Sequence, residues 1–263
     1  MDGRAYKTAG RKQMASKHSA LDLIERIGRK SGLLIMPLWR TERLDLATHT
    51  EQILAHCRID TVLDVGANKG QYRDFLREEV GWPGPIISFE PIPDLAAELR
   101  ARNDDRYWRV EEFALGDAEG SKTLNVAASP GFSSFLEPDA SQVDAFSSRN
   151  LVERRIIVPV RTLKSVIAEF KLTQARLFLK IDTQGWDLTV MKGIGAAVQS
   201  VLAIQTEASV IPIYREMPSW IDSIKALNRL GFEISGMFPV TRDSDYRVIE
   251  FDCVAVRKGS RAS

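Results

Sequence analysis

The chain has 263 residues, 44% of them hydrophobic, which is enough to build the core of one large globular domain. Its 36 Lys and Arg residues nearly balance 35 Asp and Glu residues, so charge gives no general reason to expect a nucleic-acid partner. The two cysteines, Cys57 and Cys253, lack the spacing of a zinc site or a disulfide scaffold and are expected to be reduced, buried thiols.

Residues 1–50 precede the first predicted strand and carry an excess of basic side chains. The first 20 or so lack a period and predict a polar tail, and Leu21, Ile24 and Ile27 then predict a short amphipathic helix. The basic residues of 1–40 would suit peripheral contact with an anionic membrane, but packing on the main domain is the preferred interpretation. No apolar run is long enough for a membrane-spanning helix, and no signal peptide is visible. We therefore expect a cytoplasmic protein, with the inner membrane face as an alternative location.

From Thr61 onward, apolar runs alternate with amphipathic segments, which is the pattern of a parallel sheet covered by helices. The pairs are TVLDV with QYRDFLREEV, PIISFE with PDLAAELRARN, LFLKID with DLTVMKGI, and VLAIQTE with SWIDSIKALNRLG. The closing runs, FEISGMF and YRVIEFDCVAVRK, have no helix between them and predict an antiparallel hairpin. The predicted fold is therefore α/β, a doubly wound and mostly parallel sheet with an antiparallel last strand.

Residues 117–160 interrupt this alternation because they are rich in Ser, Asp, Gly and Pro. They predict an insertion that carries a hairpin and a loop. Neither an internal repeat nor a compositional linker occurs within 51–258. We therefore predict a single domain over 51–258, an N-terminal tail and helical segment over 1–50, and a C-terminal tail over 259–263.

The turn DVGANKG follows the first predicted strand and suggests a ligand site. Gly66 and Gly70, with Asn68 between them, would let the main chain and the helix N-terminus approach a ligand closely. Glu90 ends the next predicted strand, 20 residues after Gly70, where a carboxylate can accept hydrogen bonds from both ribose hydroxyls. These features predict an adenosine-type ligand; a plain turn, with Glu90 as a helix cap, is the structural alternative.

The same turn discriminates among adenosine-type ligands. A dinucleotide fingerprint has a middle glycine that GANKG lacks, and Asp64 is expected to project into the turn, where it would disfavour a pyrophosphate. S-adenosylmethionine carries a sulfonium and an ammonium group instead of phosphates, so a carboxylate suits it better than it suits NAD. The turn therefore favours a methyl-transfer cofactor.

Several motifs, in this order, resemble the FkbM-type S-adenosylmethionine-dependent methyltransferases: VLDVGANKGQY, SFEPIPD, ALGDAEGSKTLNVA, LFLKIDTQGWDLTVMKGI and IQTEAS. The resemblance covers about residues 61–257 and leaves out residues 1–50. It implies a class I methyltransferase (Rossmann-like) fold with a seven-stranded sheet and an antiparallel last strand. It also implies methyl transfer, most often to a hydroxyl of a sugar, polyketide or glycolipid, and it identifies no particular acceptor.

The segment FALGD is expected at the end of the third strand, next to the adenine ring. There Ala114 and Leu115 would flank the ring and Asp117 would accept a hydrogen bond from its amino group. For Asp117, a loop carboxylate bonded to local amides is an equally good interpretation.

Two carboxylates follow later strands and are the candidates for catalysis. Asp182 ends LFLKID, where it would orient the methionine end of the cofactor, accept the substrate proton, or merely cap the next helix. Glu207 ends VLAIQTE and is the second candidate base. The two strands are expected to be adjacent, so both side chains should face one crevice, where the pair would also offer oxygen ligands to Mg²⁺.

Two further sets of residues have weaker functional signals. The histidines are His18, His49 and His56. The aromatic residues are Trp186, Tyr214 and Trp220. We expect surface or structural roles for the histidines, and core positions for the aromatic residues rather than a wall of an acceptor site.

Two function classes other than methyl transfer stay open at this point. One is a catalytically inactive cofactor-binding scaffold, against which the carboxylates Asp182 and Glu207 argue. The other is a nicotinamide-dependent oxidoreductase, against which the missing middle glycine argues. A nucleic-acid methyltransferase is less favoured, because neither a basic stripe nor a base-flipping Asn-Pro-Pro-aromatic motif is present.

Overall fold

The structure is a computed structural model that describes residues 43–102, 104–139 and 149–259. The chain divides into two compact units, Met1–Asp45 and Leu46–Ser263. Nearly all of the first unit lies outside the described residues. The predicted tail, the amphipathic helix, the basic segment 1–40 and His18 fall there, and residues 260–263 are also outside the described part.

A seven-stranded sheet forms the centre of the second unit. In spatial order its strands are β3 (Trp108–Glu111), β2 (Ile86–Phe89), β1 (Thr61–Val65), β7 (Leu177–Ile181), β8 (Val201–Ser209), β10 (Val248–Arg257) and β9 (Phe232–Arg242). β1 pairs parallel with β2 and β7, whereas β10 runs antiparallel to both β8 and β9. The predicted mostly parallel sheet with an antiparallel last strand is confirmed. The strand order reverses between β1 and β7, the kind of switch point at which such sheets bind ligands.

Helices cover both faces of this sheet. They are α1 (Leu44–His56), α2 (Gln71–Asp74), which continues as π-helical Phe75–Val80, α3 (Pro93–Arg100), α4 (Leu163–Glu169), α5 (Asp187–Lys192) and α6 (Trp220–Arg229). Because side chains alternate along a strand, neighbouring Val62 and Leu63 of β1 belong to different core clusters. Val62 packs with Leu54 of α1, and Leu63 with residues of α4 to α6 such as Leu227.

The helix α1 crosses residue 51, the predicted start of the main domain. Its side chains Leu46, Ala47 and Leu54 are buried in the same cluster as Val62 of β1. The apolar face of this helix therefore contributes to the core beside β1. The domain boundaries drawn from the sequence stay a prediction.

A second, three-stranded sheet contains β4 (Ala114–Gly116), β6 (Val152–Thr162) and β5 (Gly120–Ala127), in that spatial order. β5 and β6 form the antiparallel pair that the sequence predicts within 117–160, and β4 pairs parallel with β6. One expectation is wrong: Ala114 does not lie at the end of the third strand of the main sheet. β3 already ends at Glu111, and Ala114 begins a strand of the second sheet.

Both cysteines are fully buried, as the sequence predicts. Across the described residues, no helix combines the length and the apolar character needed to cross a membrane.

Candidate cofactor site

A cleft of about 620 Å³, partly open to solvent, lies at the carboxyl ends of β1, β2 and β7. One wall comes from residues 130–135 in the connection between β5 and β6. The cleft is lined by six of the predicted cofactor residues: Gly66, Asn68, Glu90, Ala114, Leu115 and Asp182. The cleft therefore lies at the switch point of the sheet, where folds of this kind bind ligands.

Glu90 directly follows the neighbouring strand β2 and holds the turn after β1 in place. Its Oε2 accepts a hydrogen bond from the Asn68 amide at 2.7 Å, and its Oε1 accepts one from the Ile92 amide at 2.9 Å. Burial raises the pKa of Glu90 to about 7, although these two amides work in the opposite direction. Glu90 therefore both holds the turn and presents a carboxyl group to the cleft.

Asn68 supplies the clearest sign of a ligand in the cleft. Its side-chain oxygen is buried and accepts no hydrogen bond from the part of the chain that the structure describes. A Cβ on Gly131 would lie 3.0 Å from its Nδ2, so the segment around Gly131 lies directly against this side chain. A buried acceptor without a donor is costly, and a hydroxyl or amine of a bound adenosyl group would supply one.

The two predicted glycines are required for contacts within the chain itself. Gly66 has φ +84°, and a Cβ there would lie 2.0 Å from the carbonyl oxygen of Asp182. Gly70 has φ +83°, and its Cβ would meet Arg102, Leu99 and Trp108 at 3.0 to 3.2 Å. Gly66 lines the cleft and Gly70 does not. Close packing of protein segments, rather than a ligand alone, therefore excludes side chains here.

Asp64 does not project into the turn, contrary to the sequence-based expectation. It is fully buried, its Oδ2 accepts a hydrogen bond from the Ser88 hydroxyl at 2.8 Å, and its Oδ1 lies 3.5 Å from Nζ of Lys180. It does not line the cleft. Strand geometry explains the difference, because Asp64 is an interior residue of β1 and lies on the same face of the sheet as Val62. The negative groups of the cleft are Glu90 and Asp182.

Lys180 links Asp64 to Asp182. Its Nζ lies 3.2 Å from Oδ2 of Asp182, and the ammonium also lies over the ring of Tyr72, 5.1 Å from the centroid. Burial opposes the charge of Lys180, but the two carboxylates outweigh it and raise its pKa. Lys180 therefore stays charged, and removing it would leave buried carboxylates without a counter-ion.

Gln184 joins the two candidate catalytic carboxylates. Its Nε2 donates to Oδ1 of Asp182 and to Oε2 of Glu207, at 3.1 Å in each case. The hydroxyl of Tyr214 lies 3.1 Å from Gln184 Oε1, and the Ser134 hydroxyl donates to the Gln184 carbonyl at 2.7 Å. β7 and β8 are neighbours, as predicted, so one amide group connects the ends of both strands.

The two carboxylates nevertheless face different spaces. Asp182 lines the cleft and its side chain is 38% exposed, whereas Glu207 lines a much smaller cavity beside Gly185. The expectation that both side chains face one crevice is therefore wrong, although Gln184 bonds to both carboxylates. Burial, reinforced by Asp182 and other carboxylates, raises the pKa of Glu207 well above its usual value. No cluster of three or more His, Cys, Asp or Glu side chains suited to a metal ion occurs among the described residues, and the suggested Mg²⁺ is not supported.

The remaining predicted residues lie outside the cleft. Asp117 is exposed, and Trp186, Tyr214 and Trp220 pack in or against core clusters. His49 has a structural contact, with Nε2 2.9 Å from the Ser235 hydroxyl, and His56 ends α1. None of these six residues lines the cleft.

Sequence reasoning missed Lys180 and Gln184 as site residues. A signal was present in the sequence for each: Lys180 is a charge inside the apolar run LFLKID, and Gln184 precedes Gly185 just beyond the strand. A lysine in a buried strand implies a carboxylate partner. The identity of that partner, however, depends on which strands are neighbours.

Residues 64–234, more than half of the chain, match the family model described as the methyltransferase FkbM domain. No significant match was found among curated proteins.

Similar folds occur among solved structures of low sequence identity. Methyltransferase FkbM from Methylobacillus flagellatus is 15% identical, with a TM-score of 0.46, over 75% of this chain and 43% of that one. Magnesium protoporphyrin IX methyltransferase from Synechocystis, with bound S-adenosylmethionine, is 10% identical, with a TM-score of 0.40, over 85% and 86%. A Burkholderia thailandensis 1,6-didemethyltoxoflavin-N1-methyltransferase, with bound S-adenosylhomocysteine, is 12% identical, with a TM-score of 0.43, over 94% and 89%. The chain spans less than half the length of the first of these proteins.

Proposed function

The chain belongs to the FkbM family of S-adenosylmethionine-dependent methyltransferases, and from this premise we propose that it methylates a hydroxyl of a sugar, glycolipid or polyketide-type acceptor. The observation that carries the proposal is the position of Asn68 and Glu90 in one cleft. There an unpartnered buried oxygen and a carboxyl group face a space of about 620 Å³. Both are acceptors, and a nucleoside offers the matching hydroxyl and amino donors.

Each part of the cofactor has matching residues in the cleft. Glu90, at the end of β2, would accept hydrogen bonds from the ribose hydroxyls, and Ala114 and Leu115 would flank the adenine ring. Asp182, at the end of β7, would face the cationic methionine end. When bound, S-adenosylmethionine supplies an activated methyl group. The anionic residues of the cleft would favour its positive charge.

Asp182 is the better placed of the two candidate bases. It lines the cleft and is partly exposed, so an acceptor hydroxyl beside the cofactor would reach it, whereas Glu207 lies beyond Gln184. Lys180 and Gln184 each contact one of its oxygens and fix the carboxylate in place. In this proposal Asp182 accepts the hydroxyl proton as the oxygen bonds to the methyl carbon, whose bond to sulfur breaks so that S-adenosylhomocysteine leaves. Positioning supplies much of the remaining rate enhancement.

The acceptor class is tested by supplying labelled S-adenosylmethionine to the protein with separate extracts of glycolipids, free sugars and RNA. We expect label in a hydroxyl of a glycan or lipid. Label confined to RNA would contradict the acceptor class. Absence of transfer to every extract, together with tight cofactor binding, would favour an inactive cofactor-binding scaffold instead.

A cytoplasmic location with peripheral membrane contact through residues 1–40 is a separate proposal, supported only by the basic composition of that segment. Sedimentation with anionic liposomes, with and without residues 1–40, tests it. Equal sedimentation of both forms would contradict membrane contact.

A further inference from the structure

The small cavity beside the cleft contains hydrogen-bond acceptors that the proposed reaction does not use. It has room for about one water-sized group, and its lining combines the polar residues Glu207, Asp187, Ser209 and Ser223 with the apolar residues Leu188, Met217 and Pro218. Gly185 directly follows Gln184, which lines the cofactor cleft, so the two spaces are separated by one short segment of chain.

Ser209 contributes a buried hydroxyl that has no hydrogen-bond partner in the described part of the chain. The residue is only 3% exposed, and its buried Oγ has no hydrogen bond to any residue that the structure describes. Native proteins rarely leave a buried hydroxyl without a partner, because its desolvation is then uncompensated. A ligand that enters the cavity would supply that partner.

Two carboxylates complete a set of three acceptors. Asp187 uses Oδ1 for the amide and hydroxyl of Thr183, at 3.0 Å each, which leaves Oδ2 as a further acceptor. Glu207 receives Gln184 Nε2 on Oε2, which leaves Oε1. An alkylammonium group has three N–H donors, so it matches Ser209, Asp187 and Glu207 in number.

The charge around the cavity is unbalanced toward the negative. Neither Glu207 nor Asp187 has a Lys, Arg or His within ion-pair distance in the described ranges. Glu250 adds a third carboxyl group, because it lies opposite Ser209 in the β8–β10 register. Burial raises the pKa of all three carboxyl groups, to about 6 for Asp187 and about 7 for Glu250. A cation in the cavity would relieve this cost.

We propose that this cavity binds a primary ammonium group of the acceptor, so that the enzyme selects hydroxyl compounds that also carry an amine, such as amino sugars. The assignment of this ammonium group to the methyl acceptor rests on the proposed methyl transfer. The ammonium-binding site itself does not depend on that transfer. Glu207 is then a specificity-determining residue beside the base Asp182.

The test uses methylammonium as the probe, added to the full-length, ¹⁵N-labelled protein and followed by NMR chemical shifts. The protein is first saturated with S-adenosylhomocysteine, so that the ammonium of the cofactor product is already bound. Sodium chloride at equal ionic strength is the control. We expect saturable shifts at the Ser209 and Gly185 amides and at the Gln184 side chain with methylammonium only.

Two nearly isosteric variants assign the effect to the cavity. Glu207→Gln and Ser209→Ala should each weaken methylammonium binding about ten- to hundredfold, since each removes one acceptor from a charged donor. Neither should change the affinity for S-adenosylhomocysteine. Glu233→Gln, which alters an exposed carboxylate paired with Lys258, should change neither affinity. If one cavity variant does not fold, the other decides.

Three outcomes would overturn the proposal: no saturable shifts, the same shifts with sodium, or binding seen only without S-adenosylhomocysteine. The last would mean that the cavity receives the ammonium of the cofactor itself. Because methyl transfer is not measured, saturable binding without any transfer to hydroxyls would contradict the proposed function and leave the ammonium site standing.

Discussion

The turn after β1 and the polar layer after β7 and β8 occupy the same edge of the sheet but are held together differently. In the turn, the amides of Gly66 and Ala67 donate to the Phe89 carbonyl, and the Asn68 amide donates to Glu90. In the polar layer, side chains contact side chains, with Gln184 between Asp182 and Glu207. Substitutions in the turn should therefore act on the fold and on cofactor affinity, and those in the layer on chemistry and selectivity.

The largest effect is expected from the layer. Asp182→Asn keeps the size of the side chain but removes the proton acceptor, so turnover should fall about 10²- to 10⁴-fold. Affinity for S-adenosylhomocysteine should change far less. The assay is methyl transfer to the extract identified with labelled cofactor, with Asp245→Asn, an exposed carboxylate, as the matched control. Full turnover in Asp182→Asn would remove this carboxylate from the mechanism.

The turn is expected to respond through stability. In Gly66→Ala the new Cβ would collide with the Asp182 carbonyl at a positive φ, so the free energy of unfolding should fall by roughly 3–5 kcal/mol. Urea unfolding measures it. Gly81→Ala is the control, because Gly81 has φ +75° with nothing within 4 Å of its Cβ, and should cost only about 1–2 kcal/mol. Equal losses in both variants would show that the close contact between Gly66 and the Asp182 carbonyl adds nothing to the cost of a side chain at this φ.

Glu90 tests whether the turn also binds the ligand. Glu90→Gln retains one acceptor for the turn but loses the charge, so binding of S-adenosylhomocysteine should weaken by about 1–3 kcal/mol. Calorimetry gives the affinity, and the thermal midpoint of the variant checks the fold. An unchanged affinity would leave Glu90 with only its structural contacts to Asn68 and Ile92.

The pH dependence of Glu90 sharpens this test. Its pKa of about 7 lies above the ordinary 4.5, so between these pH values the folded protein retains a proton that the unfolded chain loses. The bound proton stabilises the folded state, and this contribution to the free energy of unfolding is lost as pH rises from 4.5 through 7. Ribose hydroxyls favour the ionised carboxylate, so binding near pH 7 should release part of a proton. Calorimetry in buffers of different ionisation enthalpy should show that release in the natural protein and a smaller one in Glu90→Gln. Equal release would assign the proton to another group.

The same contrast explains what the sequence could predict. The strand and helix order, the antiparallel last strand and the cleft residues Gly66, Asn68 and Glu90 follow from local periodicity and from one turn motif. The orientation of Asp64 could not be predicted from the sequence, because the face of the sheet on which a strand residue lies depends on how the strand packs in the fold. Lys180 and Gln184 were missed because their partners are set by the order of the strands, which local sequence does not contain.

The central claim, that this cleft is built for S-adenosylmethionine, is tested most directly by calorimetric titration of the full-length protein with S-adenosylhomocysteine and, separately, with NAD. We predict one site per chain for S-adenosylhomocysteine and no detectable binding of NAD, with the first signal weakened in Glu90→Gln. Tighter binding of NAD than of S-adenosylhomocysteine would contradict the account.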